Sequence, residues 1–346
     1  MRQRPPLRRL LVVLVAVAVL GGAVWLVRAA ASSPSGRTPS GRTPSGSSSP
    51  SDGTSSATGK VGRAGSAPTG EPATTTTTAG PASALRNLVV TRTEQQFVDT
   101  AHRLVSHGVV LAPDRQLPTY VWTPDPPGRY PLVVFVHGYD RSPLQYERFC
   151  SVLASSGYVV AAPSFPLEDP SRGFGLDRSD LPGEAADVSS VVTSMESAAA
   201  TDRADPGRIA VVGHSDGADV ALEVGYEQGT VDPRVQGLVA IAPDPIATPR
   251  TPSTAPLLLV QGTADSVVPY TSSQTVFDQV PGPTYYVSLL GGDHLPPIAG
   301  GTPWTPVLDA SVADFLDATV AHRGSGGAAL AGQLGASPLV RLTTKG

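Results

Sequence analysis

Residues 208–217, Arg-Ile-Ala-Val-Val-Gly-His-Ser-Asp-Gly, constrain this chain more than any other stretch. A short apolar run ends in Gly-x-Ser-x-Gly, and Asp216–Gln228 after it suits a helix. The pattern predicts a strand, a sharp turn and a helix, with the Ser215 hydroxyl lifted above a sheet. Gly213 and Gly217 flank the serine because strand and helix backbones nearly touch there and leave no room for a Cβ. Context on both sides separates this motif from a chance Gly-x-Ser-x-Gly.

The texture around the motif is an alternation of strands and helices. Strands are expected at Asn87–Thr93, Pro118–Trp122, Pro131–Val136, Tyr158–Ala162, Val235–Ala242, Leu257–Gln261 and Tyr285–Leu290. Pro131–Val136 is continuously apolar, as in a strand buried on both faces. Ser142 suits a helix N-cap, Pro143 the first helical position and Gln145 a capping box; Gly157 suits the C′ position. Ala186–Ala200 carries Val188, Val191, Val192 and Met195 at helical spacing. Ser272–Val280 reads as a further helix. Pro306–Val320 is the last, with Leu308, Val312, Phe315, Leu316 and Thr319 on one face. The alternation predicts an α/β fold with a doubly wound, mostly parallel sheet and a ligand site at the carboxyl ends of its strands. The polar, glycine-rich Arg323–Gly346 reads as a flexible tail.

A serine hydroxyl is a weak nucleophile and needs a general base, which in turn needs an orienting acid. On such a sheet the chain order is nucleophile, acid, histidine. Ser215, Asp265 and His294 satisfy it, each just past its own strand. His214 adjoins Ser215, and side chains diverge on an elbow, so it is read as structural. His137 is read as shaping its loop, and His102, His107 and His322 as surface or packing residues. Asp244, past the preceding strand, rivals Asp265, while Asp293 is badly placed to reach the ring of its neighbour. On a bland reading Asp265 is a turn residue and His294 a loop residue; the joint order argues against it. The oxyanion hole is expected from two backbone N–H groups, those of Asp216 and Tyr139.

The first 84 residues differ from the rest. They hold nine of the 25 Lys+Arg and two of the 29 acids, so they carry +7 while the remainder carries −11. An acidic remainder argues against a nucleic-acid partner. Leu10–Val27 is an unbroken apolar or glycine run behind Arg2, Arg4, Arg8 and Arg9. At ~1.5 Å per residue it spans about 27 Å, enough for a bilayer core. Residues 1–31 are therefore a signal anchor, or a signal peptide cleaved near Ala29-Ala30-Ala31, and the rest of the chain is expected to be exported. Residues 32–84, rich in Ser, Thr, Pro and Gly, read as a disordered stalk. The single cysteine, Cys150, excludes an intramolecular disulfide and is read as a packing residue.

Four segments together resemble the α/β-hydrolases of the dienelactone-hydrolase-like and chlorophyllase-like group of secreted bacterial enzymes, near the cutinase-like polyester hydrolases. They are Pro131–Tyr139, Gly157–Pro166, Asp205–Ser215 and Pro256–Gly262. The resemblance covers roughly residues 85–322. It implies an α/β-hydrolase fold and cofactor-free ester hydrolysis, with Ser215, Asp265 and His294 as catalytic triad and Tyr139 and Asp216 at the oxyanion hole. Asp216 departs from the group, in which cutinase-like members carry an apolar residue after the serine.

The short Pro243–Pro256 connection predicts a single domain without a cap and an open cleft. Pro163–Gly183 is the candidate rim or lid loop. Trp304 suits either a substrate wall or packing. No Cys/His cluster, H-E-x-x-H or Walker-type loop is present, so no cofactor or metal is expected. The expected partners are a small-molecule or polymeric ester and, through the N-terminal helix, a membrane, with a monomeric catalytic domain. Acyl transfer to a cell-envelope acceptor and a non-catalytic binding domain on a stalk are the competing functions.

Overall fold

The computed structural model divides the chain into two units, Met1–Ala73 and Thr74–Gly346. The structure describes residues 85–197, 202–244, 255–323, 332 and 337–346, all within the second unit. The expected signal anchor, stalk and most of the Pro243–Pro256 connection lie outside the described residues. Among the described residues, no helix is long and apolar enough to cross a membrane.

The chain runs β1 (Val90–Asp99), β2 (Leu104–Ser106), β3 (Val109–Ala112), β4 (Arg115–Pro124), β5 (Tyr130–Val136) and α1 (Glu147–Ser155). It continues through β6 (Val159–Pro163), α2 (Leu181–Glu196), β7 (Ala204–His214), α3 (Asp216–Tyr226), β8 (Val235–Ile241) and β9 (Leu257–Gly262). It ends with α4 (Tyr270–Gln279), β10 (Thr284–Leu289), α5 (Pro296–Ala299), α6 (Thr305–Thr319) and β11 (Val340–Lys345). Nine strands form one sheet in the order β1-β4-β6-β5-β7-β8-β9-β10-β11, and β2 and β3 form a separate hairpin. From β6 to β10 every pairing is parallel; β1, β4 and β11 are antiparallel additions at the two edges. This is a mixed α/β fold around a large, mostly parallel sheet.

The apolar strands divide their side chains between two cores. Leu132, Val134 and Val136 of β5 enter one, with Ile209, Val211, Leu238, Ala240, Leu257 and Leu259. Val133 and Phe135 enter the other, with Ala210, Val212, Val239, Ile241, Leu258 and Val260. Period-two alternation inside a continuous apolar run thus serves both faces. Val188, Val191, Val192 and Met195 of α2 cover the first core. Leu308, Val312, Phe315 and Leu316 of α6 cover the second, together with Phe149, Cys150 and Leu153 of α1. Cys150 is fully buried, and burial pushes its thiol far above the ordinary range, as befits a packing residue.

The cap expected at Ser142 closes a 3-10 turn, Pro143–Tyr146, that leads into α1: Gln145 Oε1 accepts the Ser142 N–H at 2.8 Å, and Gly157 adopts φ +95° past the end of α1. Other boundaries differ from expectation. β1 runs to Asp99 because a largely exposed edge strand tolerates the polar Thr93-Glu-Gln-Gln. α2 begins at Leu181, five residues early. The β2–β3 hairpin was not expected; its turn residues His107 and Gly108 both take positive φ, +48° and +79°. The tail is not loose throughout. Val340 and Leu342 alternate with polar residues and pair with Leu289 and Val287, so β11 covers the edge of β10.

Candidate active site

Ser215 stands between the end of β7 and the start of α3 with φ +57° and ψ −128°. For a non-glycine residue this backbone costs about 1–3 kcal/mol and persists only where surroundings enforce it. They do so here. The Ser215 N–H donates to the Ile241 carbonyl at 2.9 Å, fixing the turn to β8. A Cβ on Gly213 would strike the Gly217 backbone, and one on Gly217 would strike the carbonyl of Val136. The close approach inferred from the motif is thus a property of this turn.

The loops after β9 and β10 bring Asp265 and His294 together. Asp265 Oδ2 lies 2.9 Å from His294 Nδ1, and its carboxylate is fully buried while the imidazole is slightly exposed. Three further donors converge on that carboxylate: the Val267 and Val268 N–H groups on Oδ1, at 2.9 and 2.8 Å, and Gln261 Nε2 on Oδ2 at 2.7 Å. Gln261 cannot turn its amide over, because its Oε1 accepts from Ser273 and its Nε2 also donates to the Val268 carbonyl. A carboxylate accepting from Nδ1–H leaves Nε2 as the basic nitrogen. Asp293 does not reach the imidazole; its Oδ1 accepts the Ser266 and His294 N–H groups and so shapes the loop.

Ser215 and His294 line one cavity of about 390 Å³ with Tyr139, Asp216, Val267 and Leu295. Neither Ser215 Oγ nor His294 Nε2 has a hydrogen-bond partner among the described residues. The same holds for the N–H groups of Tyr139 and Asp216. Asp216 opens α3, so its N–H has no intrahelical acceptor in any case. Gly138 brings its loop against the serine: a Cβ there would sit 3.0 Å from Ser215 Cβ and from the His214 carbonyl oxygen.

His214 turns away from its neighbour and joins a buried chain. Its Nε2 faces the His294 carbonyl at 3.2 Å, and its Nδ1 faces the Tyr146 hydroxyl at 3.0 Å. A carbonyl only accepts, so Nε2 carries the proton and Nδ1 accepts from Tyr146. The Tyr146 oxygen in turn accepts the Gly138 N–H at 3.4 Å. Burial holds His214 down to about 3, so this ring stays neutral and the chain keeps one direction. It ties the loop of His294 to the loop of Gly138. His137 works similarly: Nε2 accepts the Phe165 N–H, Nδ1–H donates to the Gly138 carbonyl, and burial lowers its pKa to about 4.

Pro163–Gly183 is a built rim. Phe165 and Leu167 are buried, and Asp169 and Asp177 cap two short 3-10 turns, Pro170–Arg172 and Arg178–Asp180. Asp180 joins Asp187 on the buried guanidinium of Arg115, which fastens the rim to β4 and α2. Arg178 reaches over the cavity to Asp216 and Asp244, each at 2.7 Å, and to Asp219 at 3.4 Å. Asp244, the rival acid, is therefore held by Arg178 and has no bond to His294. Trp304 packs against the second core and donates to the Leu290 carbonyl, apart from the cavity lining. Sequence reasoning passed over Arg141, Tyr146 and Arg178, all of which line the cavity. Arg178 lies within the expected rim segment, and Arg141 two residues past Tyr139. No cluster of three or more His, Cys, Asp or Glu among the described residues is placed to hold a metal ion.

A curated relative, "Chlorophyllase type 0" of Chenopodium album, is 28% identical over 142 residues. The chain spans about 38% of that relative's length, and the match takes in 38% of the chain. The sequence model of the Chlorophyllase family matches residues 93–267, a stretch that includes Tyr139, Ser215, Asp216 and Asp265 and stops short of His294. Because that match takes in just over half of the sequence, the chain belongs to the chlorophyllase family.

Proposed function

We propose that the protein is a carboxylic ester hydrolase working through an acyl-enzyme on Ser215. The observation that carries this is the buried Asp265 carboxylate on His294 Nδ1, in one cavity with a serine on a strained strand-to-helix turn. The family match, with a relative named for an esterase activity, supports the same reaction class.

His294 Nε2 takes the proton of Ser215 Oγ as the oxygen attacks the ester carbonyl. Asp265 holds the tautomer and stabilises the imidazolium. The developing oxyanion meets the N–H groups of Tyr139 and Asp216, which have no other acceptor among the described residues and so suit it. Collapse of the tetrahedral intermediate expels the alcohol, which takes the proton from His294. Water, deprotonated by the same nitrogen, then attacks the acyl-enzyme and frees the acid and Ser215. Substrate seated between Ser215 and His294 brings Oγ and Nε2 to the 2.6–3.2 Å that proton transfer requires.

The fold reading that accompanies this is a doubly wound α/β-hydrolase without a cap. The enzyme is exported, held at the membrane by Leu10–Val27 or released by cleavage near Ala31. Its catalytic domain is monomeric and uses no cofactor. Ser215→Ala tests the proposal: hydrolysis of a short-chain chromogenic ester falls to background while circular dichroism and Tm stay at wild-type values. Undiminished turnover in a folded Ser215→Ala protein refutes it.

A further inference from the structure

Two arginines line the cavity beside Ser215, and their circumstances differ. Arg178 is paired with carboxylates, through Nε to Asp216 and through one terminal nitrogen to Asp219 and Asp244. Arg141, on the loop between β5 and α1, is half-buried and makes no hydrogen bond or ion pair among the described residues. Its neighbour Asp140 is exposed and does not pair with it. Arg141 lies near enough to Tyr146 and His214 for its charge to disfavour protonation of either.

A guanidinium keeps its charge at any physiological pH and presents five N–H donors in a planar fork. Half-buried on a cavity wall, such a group recognises a carboxylate through two parallel hydrogen bonds. We infer that Arg141 makes the site selective for esters bearing a second, ionised carboxylate: half-esters of short dicarboxylic acids. The free carboxylate docks on Arg141 while the ester carbonyl sits over Ser215. A short dicarboxylate fits a cavity of about 390 Å³. The inference rests on the esterase reading above and adds the substrate class to it.

The test compares monoaryl glutarate with aryl pentanoate, esters of equal carbon count that differ in the terminal carboxylate. Its readout is the ratio of their kcat/KM values, anionic over neutral, in wild type and Arg141→Gln. Loss of a charge-assisted pair predicts that the ratio falls about 10- to 100-fold in Arg141→Gln, and further in Arg141→Glu. A ratio unchanged within about twofold in folded Arg141→Gln overturns the inference while leaving the esterase reading intact. Wild-type protein that cleaves neither ester sinks the esterase reading and this one with it. A second readout needs no variant: the wild-type ratio falls severalfold between about 0.02 M and about 0.5 M NaCl, as screening weakens the pair. A salt-independent ratio also overturns the inference.

Discussion

Replacing Asp265 by Asn changes one atom and should disable the base through its tautomer. Four donors converge on this carboxylate: His294 Nδ1–H and Gln261 Nε2 on Oδ2, and the N–H groups of Val267 and Val268 on Oδ1. An asparagine amide cannot accept from all four. With its oxygen toward Val267 and Val268, the NH2 group opposes Gln261 and donates to His294 Nδ1. With the oxygen toward His294, the NH2 group opposes two fixed backbone N–H donors. The first arrangement leaves one donor–donor conflict and the second leaves two. One unsatisfied buried donor costs about 1–3 kcal/mol, so the first prevails by a factor of about 5 to 150. It forces the proton onto His294 Nε2, the nitrogen that must accept from Ser215. The kcat of ester hydrolysis should therefore fall by about 10³–10⁴, the scale such a tautomer switch commands in a serine triad. Stopped or steady-state assays with a chromogenic ester measure this. Asp244→Asn, which loosens Arg178 instead, should cost far less. If Asp265→Asn keeps its activity within tenfold of wild type, or Asp244→Asn loses more, the assignment of the acid is wrong.

Glu168 is fully buried without a hydrogen-bond partner for either carboxyl oxygen, and burial followed by the charge of Asp216 pushes it up to about 9. The folded protein therefore keeps a proton that the unfolded chain sheds above about 4.5, so Glu168 costs stability progressively as pH rises from about 4.5 to about 9. Glu168→Gln should raise stability by about 1–3 kcal/mol at pH 8 and hardly at all at pH 5; equal Tm shifts at both pH values would contradict this. Asp187→Asn leaves the Arg115 guanidinium buried with a weakened partner set and should cost about 3–5 kcal/mol in urea unfolding; a cost under about 1 kcal/mol would show that the pair is not needed to hold the rim. Gly217→Ala drives a methyl group into the Val136 carbonyl and should destabilise the protein by about 1–3 kcal/mol and lower activity together, whereas a wild-type Tm would mean that α3 can move off β5.

The central strands were legible because each is an uninterrupted apolar run, as in Leu132–Val136 and Leu257–Val260, and burial on both faces demands that pattern. The helices were legible from spacing: Val188, Val191, Val192 and Met195, read as helically spaced, all enter one core. Edge elements were not. β1 is mostly polar because one side meets water, and β11 hides its two apolar residues in a glycine-rich tail. Asp265 and His294 could be chosen because each follows a strand in the expected order, and the structure brings them into contact. What sequence could not reveal were the long-range polar links. Arg178 reaches Asp216 across 38 residues and Asp244 across 66, and Tyr146 reaches His214 across 68. No local period encodes such pairs; they exist only once the loops at the strand ends converge. The same convergence leaves Arg141 without a carboxylate among the described residues, and no motif marks it.

Covalent labelling tests the nucleophile most directly. Wild-type protein treated with a fluorophosphonate and analysed by intact-mass and peptide mass spectrometry should gain one adduct, on the tryptic peptide containing Ser215. Labelling should slow by orders of magnitude in His294→Ala and vanish in Ser215→Ala. An adduct of equal yield in folded Ser215→Ala, or none in folded wild type under conditions that label other serine hydrolases, would contradict a nucleophilic Ser215.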